Sequence, residues 1–140
     1  MIAQTATNAF KLGLMNGDYD FSTDTFKIAL YTALATLNEN TGAYTAANEV
    51  SASGYTLGGA TLTVSAIPTI SAGSTVAYIS FDNVSWSAAI TARGALIYKY
   101  DGVDNPSVCV LDFGSDKIST TTFQVQFPTA NSSNAILRIS

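Results

Sequence analysis

The stretch Thr91 to Asp101 reads T-A-R-G-A-L-I-Y-K-Y-D, and its alternation decides the fold class. Ile90, Ala92, Leu96, Tyr98 and Tyr100 fall on one side and Arg93, Ala95, Ile97 and Lys99 on the other, the two-residue period of a β-strand. Apolar groups stand on both sides around Ala95 to Ile97. A strand of that kind is covered on both faces and belongs in the middle of a sheet, with Lys99 and Asp101 emerging at a rim. Asp101-Gly102 is a turn signal that ends it.

Outward from this strand, further strand signals recur at short intervals: Phe26 to Thr32, Ala60 to Ile67, Thr75 to Phe81, Ser107 to Phe113, Thr120 to Phe127 and Ala135 to Ile139. Pro68, Ser71-Ala72-Gly73, Asp82-Asn83, Gly102 to Pro106, Gly114-Ser115-Asp116 and Pro128 to Asn134 divide them. In the first strand Phe26, Ile28 and Leu30 are expected inward. About eight short strands without intervening helices predict an all-β fold, an antiparallel jelly roll or β-sandwich. One short helix precedes them, over residues 5 to 15, with Thr5, Thr7 or Asn8 as its cap and Asn16-Gly17 as its stop. Phe10 and Leu14 lie four apart and share its docking face. The 140 residues form a single domain, 1–140, with an N-terminal arm and helix over about 1–16.

Composition narrows what such a domain does. Hydrophobic residues make up 47% and charged ones 11%, against about a quarter charged in ordinary soluble domains. So little charge suggests a surface meant for other subunits. The net charge of −4 offers no basic patch for phosphates, so nucleic acid is not expected as a partner. No apolar run approaches the roughly 20 residues of a membrane helix, and no basic-then-apolar leader opens the chain, so neither membrane insertion nor secretion is expected. There is no histidine, which removes the commonest general base and metal ligand together. Cys109 is the one cysteine and reads as a buried, inert thiol.

Candidate sites are few. Asn16, Asp18, Asp20 and Asp24 crowd together, but their spacing fails the calcium-loop pattern and suits turn chemistry, so no metal or other cofactor is expected. Asp101 and Asp104 could form a carboxylate pair for glycoside chemistry, yet adjacency in a Gly/Pro turn reads as solvated loop. Trp86, Tyr78, Tyr98 and Tyr100 could stack on sugars, though strand aromatics usually pack inward. Arg93, inside an apolar strand, requires a carboxylate partner or a subunit contact. Through residues 34–59 the periodicity fades, and a loop that long is uncommon unless functional, an arm or binding loop; the alternative is an ordinary packed surface loop with a helical turn near Ala46-Ala47. The candidate interface residues are Met1, Ile2, Thr5, Leu37, Tyr44, Tyr55 and Arg93, on the arm, on this loop and on the central strand.

Several blocks carry a resemblance. FKLGLMNGDYDF (10–21) followed by TDTFKIALYT (23–32), NEVS (48–51) with GYT (54–56) and GGATL (58–62), ARGALIY (92–98), LDFG (111–114) and AILRI (135–139) span nearly the whole chain. Together they are similar to small structural proteins of tailed bacteriophages, of the capsid cement or decoration kind with a jelly-roll fold. The resemblance implies a non-enzymatic virion protein on the outer surface of the capsid, made in the host cytoplasm. It would cement neighbouring major capsid subunits and form a small homo-oligomer, a dimer or trimer. Two other readings are a receptor- or carbohydrate-binding module of a tail appendage, with Tyr44, Tyr55 or Trp86 as stacking rings, and a tail or neck subunit. Under the cement reading Met1 to Thr7 is a flexible arm whose removal lowers capsid occupancy and spares the fold.

Overall fold

Thr91 to Lys99 does form the central strand. A computed structural model describes residues 1–140 and contains one helix and ten strands. The strands are β1 (Thr5–Ala6), β2 (Phe26–Tyr31), β3 (Ala60–Leu62), β4 (Val64–Ile70), β5 (Ala77–Phe81), β6 (Val84–Trp86), β7 (Thr91–Lys99), β8 (Ser107–Ile118), β9 (Phe123–Val125) and β10 (Leu137–Ile139). Helix α1 runs from Asn8 to Asn16. A five-stranded sheet has the order β1-β8-β7-β2-β3, beside a three-stranded sheet β10-β5-β4 and a pair β6-β9. All named strands pair antiparallel. The architecture is mostly β and sandwich-like.

The large sheet is buried on both faces because two different clusters cover it. Phe26, Ile28, Leu30, Ala95, Ile97 and Val108 face a cluster shared with α1, the small sheet and the β6-β9 pair. Ala29, Tyr31, Leu96, Tyr98 and Val110 face a second cluster completed by Ile2, Ala35 and Leu37. The inward set expected for β2 is therefore three of its five buried side chains, the other two being Ala29 and Tyr31. The alternation in β7 also slips: Ala92 shares a cluster with Ala95 and Ile97, not with Leu96 and Tyr98. Between Ala92↔Lys117 and Gly94↔Asp112 the ladder is irregular, and β8 spends extra residues there. A bulge of this kind shifts side chains to the other face.

That bulge is where the Gly114-Ser115-Asp116 signal goes. It had been expected to end a strand at Phe113, yet β8 continues to Ile118. Gly114 takes φ 79° and its N–H donates to Asp112 Oδ1, so the turn chemistry is real but is used inside a strand. Pro68 likewise fails to divide strands and lies within β4, an edge strand where a missing N–H is tolerated. Gly94 has a plain steric reason: a Cβ there would strike the Leu111 carbonyl and the Ile2 side chain. Gly59, at φ 76°, lies against the Ile28 carbonyl and leaves no room for a side chain.

The helix begins at Asn8, later than expected, because Thr5 and Ala6 pair with β8. Thr7 is the cap, its Oγ1 accepting the Phe10 N–H at 3.2 Å. Gly17 ends the helix in the left-handed conformation. The arm is not free. Ile2 bridges Leu37, Ala3 N–H donates to the Leu37 carbonyl at 2.9 Å, and Leu37 N–H returns to the Met1 carbonyl at 3.1 Å.

Candidate functional site

The expected interface residues fall mostly inside the monomer. Ile2 and Leu37 are 6% and 1% exposed, and Tyr55 is buried at 9%. Tyr44 is half-buried, stacked on Tyr98 with centroids 4.9 Å apart. Thr5 is half-buried in the edge strand β1. Arg93 meets the carboxylate expected of it, Asp116, at 2.9 Å, but both side chains are well exposed, so no desolvated cation needs a subunit contact. Only Met1, at 86% exposure, is fully on the surface. Residues 34–59 are irregular but not loose: Ala35, Leu37 and Tyr44 pack on the second face of the large sheet, and Val50 and Tyr55 join the first cluster.

Glu49 holds that segment in place, a residue that sequence reading passed over. It is buried, and its carboxylate accepts from Tyr44 Oη at 2.6 Å, Tyr55 Oη at 2.7 Å and the Gly58 N–H at 2.8 Å. Tyr55 Oη in turn accepts the Leu30 N–H, while Tyr98 Oη donates to the Gly58 carbonyl and Tyr31 Oη to the Thr45 carbonyl. A buried carboxylate of this kind is tolerable because its partners replace water. The spaced aromatics of a segment without periodicity were the available signal.

Five tyrosines consequently resist ionisation. Burial pushes Tyr98 up to about 12 with Glu49 adding repulsion, and pushes Tyr19 to about 12 with Asp18 adding to it. Burial also raises Tyr31, Tyr44 and Tyr55, reinforced by Glu49 in each case. Because the folded values lie above the ordinary 10.0, the stability linked to them is whole below that pH and is lost as pH climbs from there through the folded values. Tyrosinate absorbance of these rings is expected to appear in one step together with loss of the far-UV dichroism. A gradual rise near the ordinary value with the dichroism intact would show the rings to be open to solvent.

The chemistry-bearing candidates do not converge. Asp20 Oδ1 accepts from Ser22 N–H, Asp24 Oδ2 from Asp20 N–H at 2.8 Å, and Asp24 pairs with Lys99 at 3.2 Å. No group of three or more His, Cys, Asp or Glu is placed to hold a metal. Asp101 Oδ1 is taken up by the N–H groups of Val103, Asp104 and Asn105. Trp86 is buried against Tyr55 and Phe123, so it offers no ring face to a sugar, and Tyr98 is buried too. Tyr78 is half-buried with its hydroxyl beside Ser71, and Tyr100 is 45% exposed. Burial pushes the Cys109 thiol up to about 12, which leaves it protonated and unreactive. No helix is long and apolar enough to cross a membrane.

What the molecule does offer is uncovered apolar surface, two places of which matter here. Met1 and Leu34, 86% and 79% exposed, lie near one another beside the second face, where the Met1 ammonium donates to the Ala35 carbonyl at 3.1 Å. On the first face, residues of α1 and of the small sheet line an apolar groove of about 340 Å³. Ile139, Ala77 and Ile70 form one cross-strand row there, with Ile70 and Ile139 more than half exposed. Comparison of the chain with protein-family models, with curated proteins and with solved structures finds no match.

Proposed function

We propose that this chain is a structural protein of a tailed-phage particle, bound to the outside of the capsid, where it cements neighbouring major capsid subunits. The observation that carries the reading is exposed apolar surface in two separate places, around Met1 and Leu34 and around Ile70 and Ile139, on a chain with only 11% charged residues. A protein joining subunits needs more than one contact surface, and several weak contacts then add through multivalency. The sequence blocks similar to phage cement proteins supply the choice of particle, and a jelly-roll topology for the sandwich belongs to the same proposal. Contact with the shell is assigned to Met1 and Leu34, the most exposed large apolar residues of the arm and of the 34–59 segment. Ile2, Leu37 and Tyr55 act behind them as support.

The experiment is immunogold labelling of virions from a native-host lysate, with Leu34→Asp protein compared with wild type for binding to isolated heads. Labels spread evenly over heads, and head binding lost in Leu34→Asp with its melting temperature unchanged, are the expected results. Labels confined to the tail would overturn the capsid assignment in favour of a tail subunit or receptor-binding module.

A further inference from the structure

The apolar groove between α1 and the small sheet has a charge character opposite to that of the chain. Phe10 and Leu14 form one wall and Ile79, Leu137 and Ile139 the other. The charged residues lining it are Lys11 and Arg138, with no carboxylate among them, in a protein of net charge −4. Neither cation is in an ion pair: the two pairs of the molecule are Arg93–Asp116 and Lys99–Asp24. A groove of this kind suits an apolar group flanked by acids.

The chain carries such a group itself. In the turn 101–105, Val103 stands 84% exposed between Asp101 and Asp104. The turn is built rigidly: Asp101 Oδ1 accepts three backbone N–H groups at 2.8, 2.9 and 3.0 Å, and Asn105 Oδ1 accepts those of Asp101 and Gly102 at 3.1 Å. It therefore presents its tip without first having to be ordered, which lowers the cost of association. The cleft beside it is lined by Ala9, Gly17 and Asp18, whereas the groove takes Phe10, Lys11 and Leu14 of the same helix. The turn thus borders a cleft other than its own groove, a cleft it lines together with Ala9 of α1.

We propose that the groove receives the turn 101–105 of a second copy, with Val103 entering between Leu14 and Ile139 and the carboxylates of Asp101 and Asp104 meeting Lys11 and Arg138. Every copy offers one turn and one groove, so the contact either closes into a symmetric oligomer or continues head to tail. A single five-residue turn entering a groove is a small contact against the roughly 800 Å² per partner of a standard interface, so it is expected to be weak alone and concentration-dependent. It goes beyond the cement reading and is a property of the purified chain, so its failure leaves the capsid assignment untouched.

Sedimentation velocity of the purified protein, over a dilution series at low and high salt, tests it. Wild-type mass is expected to rise with concentration and to fall back as salt screens the charges. Lys11→Glu and Asp104→Lys, both at exposed positions, should each lose the larger species, and Val103→Ser should do the same without any change of charge. Mixing Lys11→Glu with Asp104→Lys should restore it, because each altered turn or groove then finds a complementary partner. A wild type that stays monomeric throughout, a larger species that survives the single substitutions, or no recovery on mixing would each overturn the proposal.

Discussion

Removal of Met1 to Thr7 is expected to destabilise the domain strongly rather than to release a dispensable arm. Ile2 is 6% exposed and presses on Gly94 in the central strand, and losing a buried isoleucine of this kind costs about 2–5 kcal/mol. Thr7 is fully buried, caps α1 through the Phe10 N–H, and exchanges further hydrogen bonds with Val108 and Ser107. Loss of such a cap adds about 1 kcal/mol. The strand β1 goes as well, exposing the edge of β8 at Cys109 and Val110. Against a total stability of about 5–15 kcal/mol for an ordinary domain, this removes a large share. Urea unfolding of residues 8–140 beside the full chain measures it, and an unchanged midpoint would return the arm to the role of a free contact segment.

The second large effect belongs to Glu49. Glu49→Ala leaves Tyr55 Oη and the Gly58 N–H without their acceptor inside the protein, while Tyr44 Oη, nearer the surface, can turn to water. With about 1–3 kcal/mol for each buried group left unsatisfied, a loss of about 3–5 kcal/mol is expected. Glu49→Gln retains an oxygen acceptor and should lose roughly half as much. Equilibrium urea unfolding of the three proteins gives the ranking. A loss below about 1 kcal/mol for Glu49→Ala would mean that the 34–59 segment is held by its apolar contacts alone. The same substitution should make stability fall less steeply with pH in the alkaline range, since Glu49 helps to raise Tyr31, Tyr44, Tyr55 and Tyr98 in the folded state.

The two effects share an origin in the way the large sheet is covered. A central sheet with apolar side chains on both faces needs two lids. One is regular: α1, the small sheet and the β6-β9 pair. The other is an irregular segment together with the N-terminal residues, and backbone groups in such a lid must find partners one at a time. Glu49, Tyr55 and the Ile2–Leu37 bridge supply them, which is why single residues there carry so much of the stability.

Local signals in the sequence were enough for the elements whose determinants lie within a few residues of one another. Alternation identified β2, β5 and β7, Thr7 and Gly17 bracketed the helix, and the absence of helices between strands called for antiparallel pairing. The Asp101–Asn105 turn and the buried Cys109 were legible for the same reason, since both follow from immediate neighbours. Tertiary structure alone decided the rest. Whether Gly114 ends a strand or bulges it depends on whether β7 continues alongside, and whether Pro68 breaks a strand depends on its lying at an edge. Ile2 and Leu37 look like surface residues in irregular sequence, and they become core because a sheet face formed mostly by residues far along the chain stands uncovered above them. The groove at Ile139 exists only because α1 and strands from far along the chain come together around it, which no local pattern encodes.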